Sequence, residues 1–470
     1  MSSERKVRVR FAPSPTGGLH LGGVRTALFN FLYARQHQGD FILRVEDTDQ
    51  TRFVPGAEEY INECLAWCGL SPDESPLKGG EYGPYRQSER KPSYRKYAEQ
   101  LIENGYAYYA FDTAEELDEQ RKLQPNFRYS HENRLQLRNS LSLSETETQQ
   151  LLDAGTPHTI RIKIPTDETV TFTDMIRGKV AFDTNLVDDK VLLKADGMPT
   201  YHLAVVVDDK AMEISHVFRG EEWLPSAPIH ILLWEYLGWG DSMPDWAHLP
   251  LILKPDGNGK LSKRDGDRLG LPVYAMNWTD AKSGDTTKGF REMGFLPEAF
   301  VNMLGVLGWN DGTEQEIFSL DELIQKFGVD RISKAGAKFD FEKAKWFNHE
   351  WIKRTSTESL LPQINTVLEH HQVEADAAYV SRVLDAVKER LTFVEDFWSQ
   401  ASFFFSQPAE YDLSAVKPKW SAEKTAFFEH INQSFEGFNT WKAAELETFF
   451  KDAIQASGMK MGELMMPFRI

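Results

Sequence analysis

The chain has 470 residues, of which 41% are hydrophobic and 26% charged, and its formal net charge is −18 at pH 7. This length predicts several domains, and this composition excludes a disordered chain. The acidic balance excludes a protein that coats nucleic acid indiscriminately, although it permits a specific nucleic-acid partner because charges act locally. Because the sequence shows neither a signal-peptide pattern nor an apolar run of about 20 residues, we expect a cytoplasmic protein without membrane contact.

The first hundred residues alternate strands with helices, which is the order of a parallel sheet covered by helices. Apolar patterning predicts these elements: strands 7–12 and 41–47, and helices 22–38, 56–69 and 91–104. The second of these helices contains the only two cysteines, Cys64 and Cys68. Their spacing places both thiols on one helix face and favours packing over metal binding or a disulfide framework.

Residues 105–185 interrupt this order with mostly polar sequence. A capping-box pattern at Ser142 and Glu145 predicts a helix start, and alternating apolar residues predict strands within 159–165 and 169–183. We interpret the segment as an inserted α+β subdomain.

The order of strands and helices resumes after the insertion. We predict strands at 201–209, 214–223 and 248–254, with a helix at 226–237. An interrupted mononucleotide-binding fold fits this order. Beyond residue 330 strands become scarce, and apolar residues at helical spacing predict a mostly helical C-terminal third.

Two short stretches in the α/β region indicate chemistry. The first, FAPSPTGGLHLGG at 11–23, leads from a strand directly into a helix, and its glycines open the backbone to a ligand. A helix N-terminus is a natural phosphate site, and His20 can donate a hydrogen bond to a phosphate oxygen. The second, KLSKR at 260–264, follows a strand through the loop PDGNG. Taken separately, the first stretch also fits an ordinary glycine-proline turn, and the second also fits a solvated basic loop.

Together the two stretches resemble the HIGH-type and KMSKS-type motifs of class I aminoacyl-tRNA synthetases. Five further segments resemble bacterial-type glutamyl-tRNA synthetases: RFAPSPTG at 10–17, RVEDTD at 44–49, GPYRQSER at 83–90, LLKADGMPTYHLAVVVDD at 192–209 and FRGEEWL at 218–224. The resemblance covers nearly the whole chain and is most specific over residues 7–265.

The resemblance implies an α/β Rossmann-like catalytic domain with an α+β insertion, followed by a mostly α-helical C-terminal anticodon-binding region. It divides the chain into the first catalytic half (1–108), an inserted acceptor-end-binding subdomain (109–188), the second catalytic half (189–254), a KMSKS-type loop and stem-contact region (255–330) and the anticodon-binding region (331–470). The implied activity is ATP-dependent conversion of L-glutamate to glutamyl-adenylate, followed by transfer to the 3′ end of tRNA(Glu).

The implied catalytic residues are His20, Lys260 and Lys263, which stabilise negative charge that grows on the α-phosphate of ATP. Contacts with ATP are implied for the following residues: Gly22, Gly23, Glu222, Trp223 and Lys263. Gly23 stands where many class I enzymes have a second histidine, a substitution that bacterial glutamyl enzymes often show.

Glutamate binding is implied for five residues. Arg10 and Arg219 match the arginines that bind the side-chain carboxylate, because a guanidinium pairs a carboxylate in a way that a neutral amide cannot match. Ser14 and Glu46 match residues that orient the α-amino group. Tyr201 matches a pocket tyrosine, although a buried core tyrosine is its competing interpretation.

This sequence departs from the family pattern at several positions. Val205 stands where relatives often carry asparagine, which removes an amide contact. Ala110 and Asp112 occupy positions where some relatives have zinc-binding cysteines, and His131 is isolated, so we expect no zinc site and no other protein-bound metal. Mg²⁺ is implied as the partner of ATP, but no carboxylate cluster identifies a protein ligand.

The implied partner is tRNA(Glu), with its 3′ end along the insertion and its anticodon against the C-terminal third. The stretch KAKWFNHEWIKR at 343–354 combines cations with aromatic residues, as expected for phosphate contact and base stacking, although a solvated basic helix has the same pattern. The family is usually monomeric, and its members usually continue beyond the position of MMPFRI (465–470). Whether tRNA(Gln) is also charged depends on anticodon contacts that motifs do not identify.

Four alternatives remain at this point. A glutaminyl-tRNA synthetase would have C-terminal β-barrels and no need for Arg219. A shorter glutamyl-transferring relative that modifies tRNA lacks the region 331–470, and small nucleotidyltransferases lack the KLSKR loop. A catalytically inactive tRNA-binding relative would have no reason to keep His20, Lys263 and Arg10 together.

Overall fold

The computed structural model describes residues 5–124, 126–408, 413–417 and 420–469. The predicted first catalytic half comprises β1 (Arg8–Phe11), α1 (Leu21–Gln36), β2 (Asp40–Leu43), α2 (Ala57–Trp67) and α3 (Lys91–Glu103). Strands β1 and β2 are parallel, and α1 is the connection between them. All four residues of β1 are buried, as expected for a strand covered on both faces. The predicted α/β order is confirmed, although the strand predicted at 41–47 ends at Leu43.

The predicted insertion (109–188), together with the two strands at its borders, comprises β3 (Ala107–Ala110), α4 (Ala114–Leu123), α5 (Glu145–Asp153), β4 (Thr159–Ile162), β5 (Thr169–Asp174), β6 (Gly178–Asp183) and β7 (Val191–Leu193). Strands β3, β4 and β7 form an antiparallel sheet, and β5 and β6 form a hairpin. Helix α5 begins with a capping box of Ser144 and Glu147, not the predicted Ser142 and Glu145. Ser142 belongs to the preceding turn instead, since its Oγ accepts the backbone N–H of Asn139 and donates to the carbonyl oxygen of Leu137.

The predicted second catalytic half contains α6 (Tyr201–Ala211), β8 (His216–Gly220), α7 (Ala227–Tyr236) and β9 (Asp245–Leu249). Strands β8 and β9 are parallel, and β5 of the insertion joins β9 where Asp174 lies opposite Trp246. The sheet order is therefore β6-β5-β9-β8. The hairpin of the insertion thus extends the catalytic sheet and contributes residues to its interior.

The prediction of a strand at 201–209 is wrong, because this stretch forms helix α6. Its run of three valines favours a strand by propensity, but a short apolar run fits a buried helix equally well. Every residue from Leu203 to Asp209 is buried, since α6 packs against both α3 and α7. Burial on several faces removes the polar side whose spacing would have identified a helix.

Downstream of the sheet lie β10 (Ile252–Leu253), α8 (Lys263–Leu269), β11 (Trp278–Thr279), β12 (Thr286–Thr287), α9 (Pro297–Val306), α10 (Leu320–Lys326) and β13 (Ala337–Lys338). The strand predicted at 248–254 is divided, since Pro250, which lacks a backbone N–H, stands between β9 and β10. Helix α9 packs against α1, so this region shares the core of the first catalytic half.

The C-terminal third consists of α11 (Phe341–Arg354), α12 (Thr357–His370), α13 (Ala377–Val387), α14 (Asp396–Ala401), α15 (Leu413–Val416), α16 (Ala422–Glu436), α17 (Ala443–Ser457) and α18 (Met461–Arg469). One apolar core, which includes Leu384 and Phe397, joins α12, α13 and α14. A smaller core around Phe427 and Phe450 joins α16 and α17. The predicted helical region is confirmed. No helix in the described ranges has the length and apolar character needed to span a bilayer.

Candidate active site

A cleft of about 840 Å³ opens at the carboxyl ends of β1 and β8, where open α/β sheets commonly bind ligands. Eleven of the twelve predicted site residues line it: Arg10, Ser14, His20, Gly22, Gly23, Glu46, Tyr201, Arg219, Glu222, Trp223 and Lys260. The twelfth, Lys263, begins α8, and its side chain lies outside the described residues. The fold therefore brings together residues that are up to 250 positions apart in the chain.

His20 lies at the N-terminus of α1, where its Nδ1 accepts a hydrogen bond of 3.3 Å from the backbone N–H of Gly22. A neutral imidazole that accepts at Nδ1 carries its proton on Nε2. This Nε2 is buried and has no partner among the described residues. Burial, helped by the nearby charge of Lys260, lowers the pKa of His20 to about 4. The side chain is therefore a neutral donor at pH 7 with an unused N–H.

The glycines of the first turn have two different reasons to lack a side chain. A Cβ on Gly18 would approach Cγ of Trp278 to 2.7 Å, and one on Gly23 would approach Cδ1 of Leu19 to 2.6 Å. A Cβ on Gly22 would meet only Nδ1 of His20, at 3.9 Å. Packing against the Trp278 ring thus requires Gly18, whereas a side chain at Gly23 would have to displace the end of Leu19, and Gly22 opens the start of α1 to the cleft.

Lys260 reaches the cleft from the loop that follows β10. Its Nζ lies 2.6 Å from Oε1 of Glu222, and the two side chains are 52% and 40% exposed. An ion pair this exposed contributes little stability and exchanges partners readily. Beside it, the Trp223 ring lies 4.5 Å from that of Tyr201, measured between centroids. Both Trp223 and Ser14 are solvent-exposed, so they form the rim of the cleft.

Arg10 lies at the base of the cleft in a network of buried charges. Its Nε and Nη2 donate to the two carboxylate oxygens of Asp209 at 3.0 and 3.2 Å. Arg44 donates to the same Asp209 at 2.7 Å and to Oε1 of Glu46 at 2.9 Å. Sequence reasoning gave no role to Arg44 or Asp209, although both stand in quoted segments, RVEDTD and VVVDD.

Burial alone would raise the pKa of both carboxyl groups in this network. For Asp209 the guanidinium groups of Arg10 and Arg44 outweigh burial, and the pKa is lowered. For Glu46 burial outweighs the attraction of Arg44 and Arg10, and the pKa is raised. Of these two carboxyl groups, Glu46 is therefore the one whose negative charge is less compensated by the arginines.

Arg219 is buried with neutral partners only. Its Nε donates to Nε2 of His248 at 3.0 Å, and its Nη1 donates to Oη of Tyr201 at 3.2 Å and to Nδ1 of His230 at 3.0 Å. Its Nη2 is buried and has no hydrogen-bond partner in the described part of the chain. Within those same ranges, no carboxylate lies within ion-pair distance of Arg219. The cleft therefore contains a positive charge that the protein itself leaves uncompensated.

Histidines lie behind Arg219, and sequence reasoning missed all of them. Nδ1 of His248 lies 2.6 Å from Oδ2 of Asp174, which comes from the insertion hairpin. Nδ1 of His202 lies 3.2 Å from Nε2 of His230. Burial lowers the pKa of His248, His230 and His202, the last to about 4, so all three are neutral at pH 7.

Ala110 and Asp112, which stand where some relatives have zinc-binding cysteines, have other contacts in this structure. Ala110 is buried in β3, and Asp112 accepts hydrogen bonds from the hydroxyl of Tyr129 and the backbone N–H of Arg138. Across the ranges that the structure describes, no three His, Cys, Asp or Glu side chains are grouped as metal ligands.

The basic stretch 343–354 forms helix α11, and its cations have acidic neighbours. The ion pairs are Lys343 with Glu316, Lys345 with Glu342, and both Lys353 and Arg354 with Glu350. Phe347 is buried, and Nε1 of Trp351 donates to Asn302 at 2.9 Å. The local positive charge is thus largely balanced within the protein, and these two aromatic rings belong to its packing.

Comparison with known proteins adds an independent finding. Residues 6–346 match the family described as "tRNA synthetases class I (E and Q), catalytic domain", and residues 348–470 match the family "Anticodon binding domain". The glutamate–tRNA ligases of Phocaeicola vulgatus and Bacteroides fragilis are each 52% identical over 469 residues, covering 100% of this chain and 93% of each relative. A crystal structure of a glutamate tRNA ligase from Elizabethkingia meningosepticum in complex with its amino acid is similar with a TM-score of 0.94 at 50% identity, covering 99% of this chain and 93% of that one.

Proposed function

This chain belongs to the class I tRNA synthetases for glutamate and glutamine and acts as a glutamate–tRNA ligase, and we propose that the cleft at β1 and β8 performs both steps of its reaction. In the first step, an oxygen of the glutamate α-carboxylate attacks the α-phosphorus of ATP, and pyrophosphate leaves. In the second step, a hydroxyl of the terminal ribose of tRNA(Glu) attacks the carbonyl of glutamyl-adenylate, and AMP leaves.

The observation that carries the assignment of glutamate is the buried, unpaired Nη2 of Arg219. A buried cation without a counter-ion is costly, so an anionic ligand completes this site better than a neutral one. The γ-carboxylate of glutamate offers acceptors only, whereas the amide of glutamine would turn an NH₂ donor towards guanidinium donors or lose the charge. Arg10 contributes through Nη1, because Asp209 already occupies its other two nitrogens.

The α-amino group of glutamate binds at Glu46 and Ser14. Glu46 is buried beside Arg44, and its carboxyl group gains a counter-charge when an ammonium enters. Tyr201 fixes the floor of the pocket, since its hydroxyl accepts from Arg219 and its ring contacts Trp223. These contacts leave the α-carboxylate directed towards the start of α1, where ATP binds.

ATP binds with Mg²⁺ as its substrate partner, with its α-phosphate near the open backbone at Gly22. His20 donates Nε2–H to a phosphate oxygen, and it does so as a neutral group over the physiological pH range. Lys260 leaves Glu222 and, together with Lys263, adds positive charge as the α-phosphorus becomes five-coordinate. Glu222, once released, and Trp223 contact the adenosine.

The tRNA follows the domain order. We assign residues 1–108 and 189–254 to the catalytic domain, 109–188 to binding of the acceptor end, 255–330 to the signature loop and stem contact, and 331–470 to the anticodon. The match of residues 348–470 to anticodon-binding domains supports the last assignment. The proposal includes a monomeric enzyme in the cytoplasm that has no zinc.

Charging assays test this proposal. Purified enzyme is incubated with ATP, Mg²⁺ and either tRNA(Glu) or tRNA(Gln), and with glutamate or glutamine as the amino acid. Formation of glutamyl-tRNA(Glu) with little product from glutamine is the expected result, and glutamyl-tRNA(Gln) would identify a non-discriminating enzyme. Preferential use of glutamine, or no aminoacyl-tRNA at all, would contradict the assignment.

A further inference from the structure

The two cleft arginines assigned to the substrate carboxylate, Arg10 and Arg219, are held in opposite ways. Arg10 forms a two-point ion pair with Asp209, so its charge is compensated within the protein. Arg219 is 5% exposed, and a carboxylate acts on it through an intermediate: Asp174 contacts His248, and His248 contacts Arg219. The carboxylate of Asp174 therefore stabilises Arg219 from the side of Nε, through His248. Nη2 of Arg219 remains available for a ligand.

The protonation state of His248 determines whether it can accept the hydrogen bond from Arg219. Its Nε2 must be unprotonated and accept the hydrogen bond, because Nε of Arg219 can act only as a donor. A neutral imidazole with a free Nε2 carries its proton on Nδ1, which is the atom that lies 2.6 Å from Oδ2 of Asp174. The same Oδ2 accepts the backbone N–H of His248 at 3.1 Å. Asp174 thus fixes both the tautomer and the position of the ring.

Asp174 is itself firmly placed. Its Oδ1 accepts the backbone N–H groups of Ile176 and Arg177, each at 2.9 Å, in the turn between β5 and β6. The side chains of Asp174 and His248 are both 0% exposed. The pair is therefore shielded from bulk solvent and fixed by hydrogen bonds on both sides.

We propose that Asp174 and His248 are a positioning pair that presents Nη2 of Arg219 to the side-chain carboxylate of the substrate and thereby determines the preference for glutamate over glutamine. The inference rests on the proposed glutamate pocket. Neither residue touches the substrate. Both act through the orientation of the guanidinium group, because outer partners of a binding group fix its geometry.

Asp174→Asn is the most informative variant. An asparagine can keep an oxygen acceptor for the turn, but it then directs an NH₂ donor at Nδ1 of His248. The imidazole then changes tautomer, so that its proton is on Nε2. This proton points at the N–H group of Nε of Arg219. Two donors in contact displace the guanidinium. We expect the KM for glutamate to rise about 10- to 100-fold, the scale of one lost charged hydrogen bond, while the KM for ATP and kcat at saturating glutamate stay within about twofold.

Two variants of His248 separate positioning from packing. His248→Gln keeps an amide oxygen that can accept from Arg219 and should retain most of the glutamate affinity. His248→Leu fills the same space without an acceptor, and it should behave like Asp174→Asn. The ratio of kcat/KM for glutamate to that for glutamine should fall slightly in His248→Gln and strongly in His248→Leu.

Asp189→Asn provides a matched control at the residue that directly follows the insertion. Asp189 is also fully buried and ion-paired, with Arg134 at 3.1 Å, but it contacts neither His248 nor Arg219. This variant should lose stability while keeping the wild-type KM for glutamate. A wild-type enzyme that does not charge glutamate would overturn the proposed function itself. An active wild type whose Asp174→Asn and His248→Leu variants keep the wild-type KM, or raise the KM for ATP equally, would overturn the positioning pair alone.

Discussion

Arg219→Leu isolates the charge that the cleft offers to the substrate. The native guanidinium is 5% exposed and has neutral partners only within the described ranges, so burying it costs the free enzyme stability. Removing it relieves that cost but leaves acceptors on Tyr201, His230 and His248 without their donor. These effects oppose each other, and we expect the free variant to unfold near the wild-type temperature.

The loss in binding should be much larger. Two N–H groups of Nη2 are available for the γ-carboxylate, and losing charged hydrogen bonds of this kind costs about 2–4 kcal/mol in kcat/KM, or about 30- to 1000-fold. A ligand at 100 times its Kd stabilises a protein by about 2.7 kcal/mol, and raising that Kd about 100-fold reduces the stabilisation to about 0.4 kcal/mol. The glutamate-induced rise in unfolding temperature should therefore nearly disappear.

Initial rates and thermal unfolding, each measured over a glutamate series, check both numbers. The KM for ATP should stay near that of the wild type, because the ATP contacts involve His20 and Lys260 instead. Arg219→Lys, which keeps the charge but not the planar fork, should be intermediate. An unchanged KM for glutamate, together with an unchanged glutamate-induced thermal shift, would remove Arg219 from the pocket and refute the reasoning.

Alanine at His20 or Lys263 should lower the rate of adenylate formation about 10²-fold, equivalent to about 2.7 kcal/mol, with a much smaller change in ATP binding. Single-turnover kinetics measure this rate. A variant that keeps the normal rate but binds ATP weakly would contradict the prediction. Burial holds the pKa of His20 and His202 at about 4 in the folded protein, below the ordinary 6.5, so the unfolded chain binds more protons between these values. The free energy of unfolding should therefore fall as the pH is lowered from about 6.5 to about 4, and urea titrations of His202→Gln should show a shallower dependence; an identical slope would count against it. Because Asp112 is held by Tyr129, elemental analysis should find less than one zinc per chain. Chelation should leave the fold intact once Mg²⁺ is restored, whereas stoichiometric zinc would contradict this prediction.

The parts of the fold that could be predicted are those whose sequence pattern has a single physical explanation. The strand, glycine-rich turn and helix over 7–38 combine alternation, backbone freedom and helical spacing, and they form β1 and α1 as expected. The stretch 201–209 has no such pattern, because burial on several faces makes a helix as apolar as a strand. Its secondary structure depends on packing against α3 and α7, which are distant in sequence.

The candidate site shows the same division. Residues within the family's motifs could be named from the sequence, and the cleft lined by eleven of them agrees with that grouping. Asp174 and His248 could not be named, because their contact depends on the pairing of β5 with β9 across the insertion boundary. His248 stands in an apolar stretch, HLPLILK, where a histidine is ordinarily a core residue with a satisfied side chain. Only the tertiary structure shows that its partner is Arg219.

Exchange of labelled pyrophosphate into ATP measures the activation step most directly. The assay is run with glutamate or glutamine, with and without tRNA(Glu), on the wild type and on Arg219→Leu. We expect exchange that requires glutamate, that glutamine does not support at equal concentration, and that Arg219→Leu shows only at much higher glutamate concentrations. Exchange supported equally by glutamine, or exchange with the same glutamate dependence in Arg219→Leu, would contradict a cleft in which a buried, uncompensated arginine selects the substrate.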